Sequence, residues 1–486
     1  MAEQSSVLNT YSDYECVIGI EVHVQLNTKS KIFCSCSNEQ TTEQNKNICQ
    51  ICTGYPGVLP VLNKTVVHNA IMAGLATNST ITPVSEFARK HYFYPDLPKN
   101  YQVTQSDLPI CQNGYIPIPL EDGSIKNVRL IRIHMEEDAG KNIHAPTTNE
   151  SFVDLNRTGT PLLEIVSQPD IANATEAKAY LKALRLIVMY LRISTGNMQE
   201  GSFRADTNIS VRKKGDPKLG TRAELKNINS FKFIGDAIEY EIQRQIELLE
   251  SGQKVRQETR LWDVKEQCTK SMRSKEEAAD YRYFEDPDLP LIEITQETIS
   301  RVKDIMPELP QQRFERYTNK LGISAYEADV LIEDLELCDY YEAALQHTTS
   351  KQLINWVLRD FMGLLKNEKI SLAECKVTPE KLAHLVTLIE QGTINNRTAQ
   401  EIFAIIAKTG QNPEEIVKEK GLQQIGSTEE LEKIVKEIIA QNPANVTEYK
   451  AGKEKLFGFF VGQAMSKSQG KANPKILQEL LKKHLQ

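Results

Sequence analysis

Residues 16–26 read CVIGIEVHVQL, which places reactive side chains at alternate positions of an otherwise apolar segment. Side chains of a β-strand alternate between two faces, so the pattern predicts a strand with one buried face. The other face presents Glu21, His23 and Gln25. A carboxylate beside an imidazole can bind a metal ion, but the same residues are also common on a solvated strand face.

Three further segments show the same alternation: IRIHMEEDAGK at 131–141, GSFRADTNISVR at 201–212 and GTRAELKNINS at 220–230. In the first we expect Ile131, Ile133 and Met135 to point inward, ahead of an acidic run. The polar faces of the segments offer Glu136, Glu137, Asp138, Arg204, Asp206, Arg222, Glu224 and Lys226. Four charged faces in one domain favour a shared polar pocket over four separate solvated surfaces.

Carboxylates with a single imidazole are ligands that suit Mg²⁺ or Mn²⁺ better than zinc, and neighbouring basic side chains suit phosphate oxygens. The combination indicates nucleotide-dependent chemistry. GDPKLGTR at 215–222 is the nearest match to a phosphate-binding loop, but it lacks the lysine and hydroxyl residue in the required places, and no protein-kinase motif set is present.

Four cysteines form a C-x-C pair and a C-x-x-C pair separated by twelve residues: Cys34, Cys36, Cys49 and Cys52. Two close pairs around a loop are typical of a tetrahedral Zn²⁺ site, and four thiolates leave no open position on the ion. We therefore predict structural zinc. The alternative is four unligated thiols near a core.

Composition restricts the class of protein. A chain of 486 residues is expected to form two to four domains. It lacks an apolar run long enough to span a membrane and a secretion leader at Met1, so we expect a cytoplasmic protein with reduced thiols. The net charge of -7 argues against nucleic-acid binding over the whole surface, but residues 441–486 contain eight lysines and three glutamates.

Strand and helix signals are mixed as far as residue 290, and helix signals dominate beyond it. Helices are predicted from Ala174 to Leu191, with Asn173 and Glu176 as a capping box, and over 233–251. In the second half, helix starts are predicted at Thr378, Asn412 and Ser427, and helix stops at Gly392 and Gly421.

The segments that carry these residues closely resemble one family. In order they are YECVIGIEVHVQL, YPGVLPVLNK, KHYFYPDLPKNYQVTQ, HMEEDAGK, VDLNRTGTPLLEIVSQPD, TRAELKNINSF, RQETRLWD, DYRYFEDPDLP and, near the end, GFFVGQAMSKSQGKANPKIL. They resemble the B subunits of the aspartyl/glutamyl-tRNA amidotransferase, the GatB family. The match is dense over residues 14–290.

The resemblance implies an α+β fold in three parts: a β-sheet cradle domain with helices (1–292), an all-α helical domain (293–406) and a small all-α tail domain (407–486). It also implies an ATP-dependent carbon–nitrogen ligase with glutamine as amide donor. The B subunit would use ATP and Mg²⁺ to phosphorylate the side-chain carboxylate of Glu-tRNA(Gln), Asp-tRNA(Asn) or both. Ammonia from an amidase (A) subunit would then form the amide, with a small C subunit completing a heterotrimer.

The family's cradle site can be transferred to matching positions. Glu21, His23, Glu136, Glu137 and Asp206, together with Glu200, become Mg²⁺ ligands or close neighbours of the ion. Lys90, Arg204, Arg222 and Lys226 become phosphate-binding candidates. Tyr92, Tyr94 and Tyr101 could stack on a nucleotide base, although such aromatics are also common in cores.

The tail resembles the family's tRNA-contacting tail, where Lys467, Lys471 and Lys475 are candidates for phosphate contacts. The sequence departs from the family pattern at Cys34, Cys36, Cys49 and Cys52, because family members often have other residues at these positions.

Two alternative functions differ from this one in their chemistry. A noncatalytic tRNA-binding scaffold would present substrate to a partner enzyme. A free-standing amidase would need a nucleophile system, and the Gly/Ser-rich amidase signature is absent from the sequence.

Overall fold

A computed structural model of the chain describes residues 7–145, 150–274, 280–423, 428–468 and 472–485. The chain divides into two compact units, Met1–Pro310 and Gln311–Gln486. The first unit combines sheets with helices, and the regular elements in the described part of the second are helices, so the predicted α+β class is confirmed. The boundaries at residues 292 and 406 of the three-part division stay predictions.

The first unit contains seventeen strands in its described part. They are β1 (Tyr14–Gln25), β2 (Thr80–Ile81), β3 (Val84–Ser85), β4 (Ala88–His91), β5 (Tyr101–Thr104), β6 (Cys111–Gln112), β7 (Tyr115–Pro119), β8 (Ile125–Glu137), β9 (Lys141–His144), β10 (Ser151–Asp154), β11 (Pro161–Ser167), β12 (Phe203–Lys213), β13 (Ala223–Lys226), β14 (Glu258–Asp263), β15 (Cys268–Ser274), β16 (Phe284–Glu285) and β17 (Ile292–Glu293). Its helices are α1 (Val7–Thr10), α2 (Lys64–Ala76), α3 (Ala174–Tyr190), α4 (Phe231–Glu250) and α5 (Gln296–Asp304).

The large sheet has the strand order β15-β14-β13-β12-β1-β11-β8-β6-β2, with β7 also paired to β8. Its pairs are antiparallel except for β13 and β14, which run parallel. Strand β11 lies between β1 and β8. On each face of the sheet, the side chains of β11 therefore lie between those of β1 and those of β8.

Strand β1 shows the predicted alternation along its whole length. Ile18, Ile20 and Val22 are at most 1% exposed and belong to the main hydrophobic core. Helices α2, α3 and α4 supply side chains to the same core, so they cover the apolar face of the sheet. The acidic positions of β1 therefore lie on the face away from these helices.

Helix α3 begins and ends close to its prediction. The Glu176 amide donates to Asn173 Oδ1 at 2.8 Å, which confirms Asn173 as the N-cap, and Leu191 is the C-cap. The predicted capping box is incomplete, because the Glu176 carboxylate accepts from the Ala172 amide instead of the Asn173 amide. Helix α4 begins at Phe231, two residues earlier than expected, because Ser230 is its N-cap. It ends before Gly252, which has a φ of +73°.

The prediction that Ile131 points inward is wrong, since this side chain is 38% exposed. Strand β8 carries a bulge here: Val166 pairs with Arg132 and Ser167 pairs with Leu130, so Ile131 has no partner across β11. An extra residue reverses the alternation that follows it. The bulge thereby allows both Leu130 and Ile133 to face the core.

A small sheet with the order β16-β4-β5 lies beside the acidic end of β8. Thr104 on β5 donates from its hydroxyl to Glu136 Oε2 at 3.2 Å, and the Val103 amide donates to Glu137 Oε1 at 2.9 Å. These bonds position the two acidic residues that end β8.

The helices of the second unit are α6 (Pro310–Asn319), α7 (Ala325–Glu333), α8 (Leu335–Leu345), α9 (Leu353–Asn355), α10 (Met362–Glu368), α11 (Pro379–Glu390), α12 (Asn396–Thr409), α13 (Pro413–Lys420), α14 (Thr428–Gln441), α15 (Pro443–Lys450), α16 (Leu456–Lys467) and α17 (Pro474–Leu485). A π-helical turn (Trp356–Phe361) joins α9 to α10, and a 3₁₀ turn covers Leu372–Glu374.

Several predicted caps of this unit are confirmed. Thr378 and Asn412 precede α11 and α13, and Gly421 ends α13 in a left-handed conformation. Gly392, with a φ of +72°, follows the end of α11. Ser427 lies outside the described residues. Among those described, no helix has both the length and the apolar character needed to cross a membrane.

Replacing Ile20 by alanine tests whether the core beneath β1 maintains the sheet. We expect a loss of about 2–5 kcal/mol in unfolding free energy, because the side chain is 1% exposed. Each unit has one tryptophan, so Trp262 fluorescence in a Trp356→Phe background reports the first unit alone.

The matched control is Ile125→Ala, because Ile125 is 65% exposed. This control should change stability by less than about 0.5 kcal/mol. Equal effects of the two substitutions would contradict the assigned core.

Candidate functional site

The acidic face of β1 lies beside two strands that bear charged side chains. Across the pair with β12, Glu21 lies opposite Asp206 and His23 opposite Arg204. Across the pair with β11, His23 lies opposite Glu164. The sheet register therefore brings together residues that lie far apart in the chain.

The tightest cluster combines two predicted residues with one that sequence analysis did not select. His23 Nε2 lies 3.6 Å from Glu136 Oε1 and 3.5 Å from Glu164 Oε2. Ligand atoms of these three residues all lie within 4.8 Å of one another. We call them the cradle cluster. Because it combines two carboxylates with one imidazole, its donor chemistry fits a divalent cation.

His134 is a second imidazole at the cluster, and sequence analysis did not select it either. Its Nε2 lies 3.1 Å from Glu164 Oε2 and 3.7 Å from Glu136 Oε2, and the residue is 3% exposed. Burial opposes its charge most strongly of any one cause, but Glu164 and Glu136 together outweigh burial and raise the pKa of His134 to about 9. Strongly negative potential therefore surrounds the two glutamates.

The same potential affects the neighbouring groups. Burial would lower the pKa of His23, but the bond to Glu164 and the charge of Glu136 raise it above its usual value. Burial and the nearby Glu164 carboxylate raise the pKa of Glu21. An attraction for cations follows from this excess of acidic groups.

Glu21 and Asp206 form a second acidic pair beside the cradle cluster. Lys226 donates to Asp206 Oδ2 at 2.7 Å, and Asn208 donates from its amide to Glu21 Oε1 at 3.2 Å. Burial opposes the charge of Lys226, but Asp206 and Glu224 raise its pKa above the usual lysine value. Lys226 therefore stays protonated.

A cavity of about 510 Å³ opens beside the cluster. His23, Glu136 and Asp206 line it together with the predicted cations Lys90, Arg204 and Lys226. Arg204 Nη2 lies 3.0 Å from Asp138 Oδ2, which orients the guanidinium. A second cavity of about 320 Å³ is lined by Glu21, Glu164 and Lys90. Acidic and basic side chains thus share one site.

Three predicted site residues lie elsewhere or at its margin. Glu137 follows Glu136 on the strand and so points to the opposite face, where Lys99 and the Val103 amide bind its carboxylate. Arg222 is exposed before β13 begins and lines neither cavity. Glu200 is an exposed loop residue at the edge of the larger cavity.

The three candidate tyrosines have different surroundings. Tyr92 lines the larger cavity and meets the Tyr281 ring edge-on at 6.5 Å. Tyr94 is 50% exposed and does not line the cavity. Tyr101 lies beneath the Arg89 guanidinium at 4.4 Å. Only Tyr92 of the three is placed where it could contact a ligand in this cavity.

The four predicted cysteines come together as expected from their spacing. Ligand atoms of Cys34, Cys36, Cys49 and Cys52 lie within 4.8 Å of one another, and the Cys49 amide donates to Cys52 Sγ at 3.2 Å. This arrangement can hold a metal ion.

A buried lysine lies beside these thiols. Lys31 is 0% exposed and donates to the Asn47 carbonyl at 2.6 Å, and its Nζ lies 3.7 Å from Cys52 Sγ. The bond from Cys34, with the lysine charge contributing, lowers the pKa of Cys52 to about 5. Lys31 therefore offsets part of the negative charge of a four-thiolate site.

The tail lysines are only partly described. Lys467, at the end of α16, lies 2.6 Å from Glu437 Oε2, and Lys475 is exposed in the first turn of α17. Lys471 lies outside the described residues.

The chain matches the family model described as the GatB/GatE catalytic domain over residues 16–300, and the GatB domain over residues 339–485. A protein of Geotalea daltonii, named as the B subunit of aspartyl/glutamyl-tRNA(Asn/Gln) amidotransferase, is 54% identical over 98% of this chain and 100% of its own length.

Proteins with the same name from Myxococcus xanthus and Thermodesulfovibrio yellowstonii are each 50% identical, over 98% and 97% of this chain respectively and 99% of their own length. These matches extend across both compact units. The chain belongs to the GatB family of amidotransferase B subunits.

Proposed function

We propose that this chain is the component of a tRNA-dependent amidotransferase that activates the misacylated amino acid. It uses ATP to phosphorylate the side-chain carboxylate of Glu-tRNA(Gln), Asp-tRNA(Asn) or both, and ammonia then converts the acyl phosphate to an amide. The cradle cluster beside a cavity rich in basic side chains is the observation that carries this proposal.

The chemistry explains why both charge types are present. A carboxylate resists attack by ammonia because an oxide ion is a very poor leaving group, whereas phosphate leaves readily. Making the acyl phosphate brings a carboxylate close to a triphosphate, and positive charge is needed to offset the repulsion between these anions.

His23, Glu136 and Glu164 are the residues that would hold Mg²⁺, with Glu21 and Asp206 next to them. When bound, the ion supplies charge stabilisation for phosphate oxygens. His134 contacts Glu136 and Glu164 and so positions their carboxylates.

Lys90, Arg204 and Lys226 are the proposed phosphate-binding residues because they line the larger cavity. Burial opposes the charge of Lys90, but Glu136 raises its pKa above the usual value, so it stays cationic. Tyr92 lines the same cavity and is placed to contact a base or ribose. Glu137 and Arg222 are left out of the proposal because neither lines the cavity, and Glu200 remains a candidate only for its edge.

The proposed complex needs a separate source of ammonia, since the chain lacks the amidase signature in its sequence. A glutaminase (A) subunit would supply ammonia and a small C subunit would complete the heterotrimer. The tail would contact the tRNA backbone through Lys475 and through Lys467, which would have to exchange Glu437 for phosphate.

Structural zinc at the four cysteines completes the proposal. The ion would join residues 34–36 to residues 49–52, and both segments belong to the long connection between β1 and α2. Four thiolates would fill its coordination shell, so its role is to order the loop.

Activity of the Glu164→Gln variant tests the proposed function. In the assembled complex, the acyl phosphate should form at least about 100-fold more slowly, because the variant would hold less tightly the Mg²⁺ ion that stabilises the phosphate oxygens. The acyl phosphate is detected by trapping it with hydroxylamine. The reaction is followed in a single turnover with saturating misacylated tRNA.

The matched control is Glu15→Gln, which changes a carboxylate on the same face of the sheet but at the far end of the neighbouring strand β1, where it pairs with Arg212. This variant should keep the wild-type rate. If Glu164→Gln and His23→Ala both form acyl phosphate at the wild-type rate while tRNA binding is normal, the chain is a noncatalytic scaffold.

Metal analysis tests the zinc proposal. After dialysis in metal-free buffer, the wild-type chain should retain one more zinc ion than Cys36→Ser, because three thiolates bind more weakly than four. Cys375→Ser, a change outside the cluster, should keep the ion. A wild-type protein without zinc after growth in zinc-supplemented medium would contradict this proposal.

A further inference from the structure

A third cluster of possible metal ligands lies in the second unit, remote in sequence from the cradle cluster and from the four clustered cysteines. It consists of His347, Glu380 and His384, whose ligand atoms all lie within 4.8 Å of one another. His347 follows the end of α8, whereas Glu380 and His384 lie one turn apart on α11. A spacing of four places two helical residues on the same face.

The backbones that carry these residues are fixed relative to each other. Thr387, three residues after His384, donates from its hydroxyl to the Thr348 hydroxyl oxygen at 3.1 Å. The Tyr340 hydroxyl on α8 donates to the Val377 carbonyl at 2.9 Å, just before α11 begins. The His347 amide donates to the Ala344 carbonyl at 3.0 Å. The three side chains therefore meet on a prearranged scaffold.

The side chains themselves remain available to a ligand. His347 and Glu380 are exposed and His384 is half-buried. Within the described residues, none of the three side chains takes part in a hydrogen bond or an ion pair. The two imidazole rings meet edge-on with centroids 6.3 Å apart. Small rotations of exposed side chains would bring the ligand atoms to the roughly 3.4 Å separation set by bonds of about 2.1 Å in a tetrahedron.

We propose that His347, Glu380 and His384 bind a divalent transition-metal ion of the zinc class. Two imidazoles and one carboxylate favour Zn²⁺, Ni²⁺ or Co²⁺ over Mg²⁺, which prefers oxygen ligands. Three protein ligands leave a coordination position open to water or a further ligand. The bound ion would link α11 to the segment after α8. This inference is independent of the proposed function.

Nickel binding to the full-length, untagged chain tests this site. Protein saturated with zinc at the cysteines is dialysed against Ni²⁺ at low micromolar concentration, and both metals are counted by elemental analysis. The wild-type chain should take up one more nickel ion than the His347→Ala/His384→Ala double variant, because the cradle cluster is the same in both proteins. Glu380→Gln should weaken binding, because it removes the ligand charge and retains the side-chain shape.

His144→Ala is the matched control, since His144 is exposed but belongs to no cluster of possible ligands within the described chain. Thermal unfolding without nickel should give the same midpoint for the wild-type chain and Glu380→Gln. A difference in nickel affinity between these two proteins then cannot result from a loss of stability. Equal nickel uptake by the wild-type chain and the double variant, or no uptake by the wild-type chain, would overturn the proposal.

Discussion

The crowding of carboxylates on one face of the large sheet is the constraint on which the rest of the first unit depends. Glu21, Glu136, Glu164 and Asp206 all lie on this face, on four adjacent strands. Two like charges 4 Å apart repel by about 4 kcal/mol at the effective dielectric constant found near protein surfaces. Isolated strands would not maintain such an arrangement. The apolar residues beneath, such as Ile20 and Ile165, fix the register from the opposite face.

The chain offsets this repulsion only in part. Lys226 binds Asp206, and His134 contacts both Glu136 and Glu164. Between the cradle carboxylates, however, the nearest partners are imidazoles, whose raised pKa values reflect the unbalanced negative charge. A divalent cation would neutralise this charge more fully. Folding holds the carboxylates close together despite their mutual repulsion, and a bound cation would relieve that repulsion. This relief would contribute to the binding free energy of the ion.

The sequence predicts local features well because they depend on nearby residues. The alternation of β1, the Asn173 cap of α3 and the meeting of the four cysteines were all confirmed. Glu164 was missed because its strand PLLEIVS is almost entirely buried and therefore shows no alternation. A single glutamate within an apolar strand was the available signal, since a buried carboxylate needs a partner.

Other errors arose from strand order and irregular pairing. Nothing local shows that β11 lies between β1 and β8, and this placement brings Glu164 next to both His23 and His134. The bulge at Ile131 likewise depends on pairing with a distant strand. Arg222 shares the alternation of Lys226 but precedes the first residue of β13 and does not line the cavity. In a regular strand the face of each residue can be predicted from local pattern, whereas bulges and position along a sheet depend on pairing with distant strands.

The most direct measurement of the central claim is anomalous scattering from crystals soaked in Mn²⁺, a substitute for Mg²⁺ with similar ligand preference. The account predicts a peak between His23 Nε2 and the carboxylates of Glu136 and Glu164. A manganese peak elsewhere in the first unit, with none of these three side chains bound to the ion at saturating Mn²⁺, would contradict it.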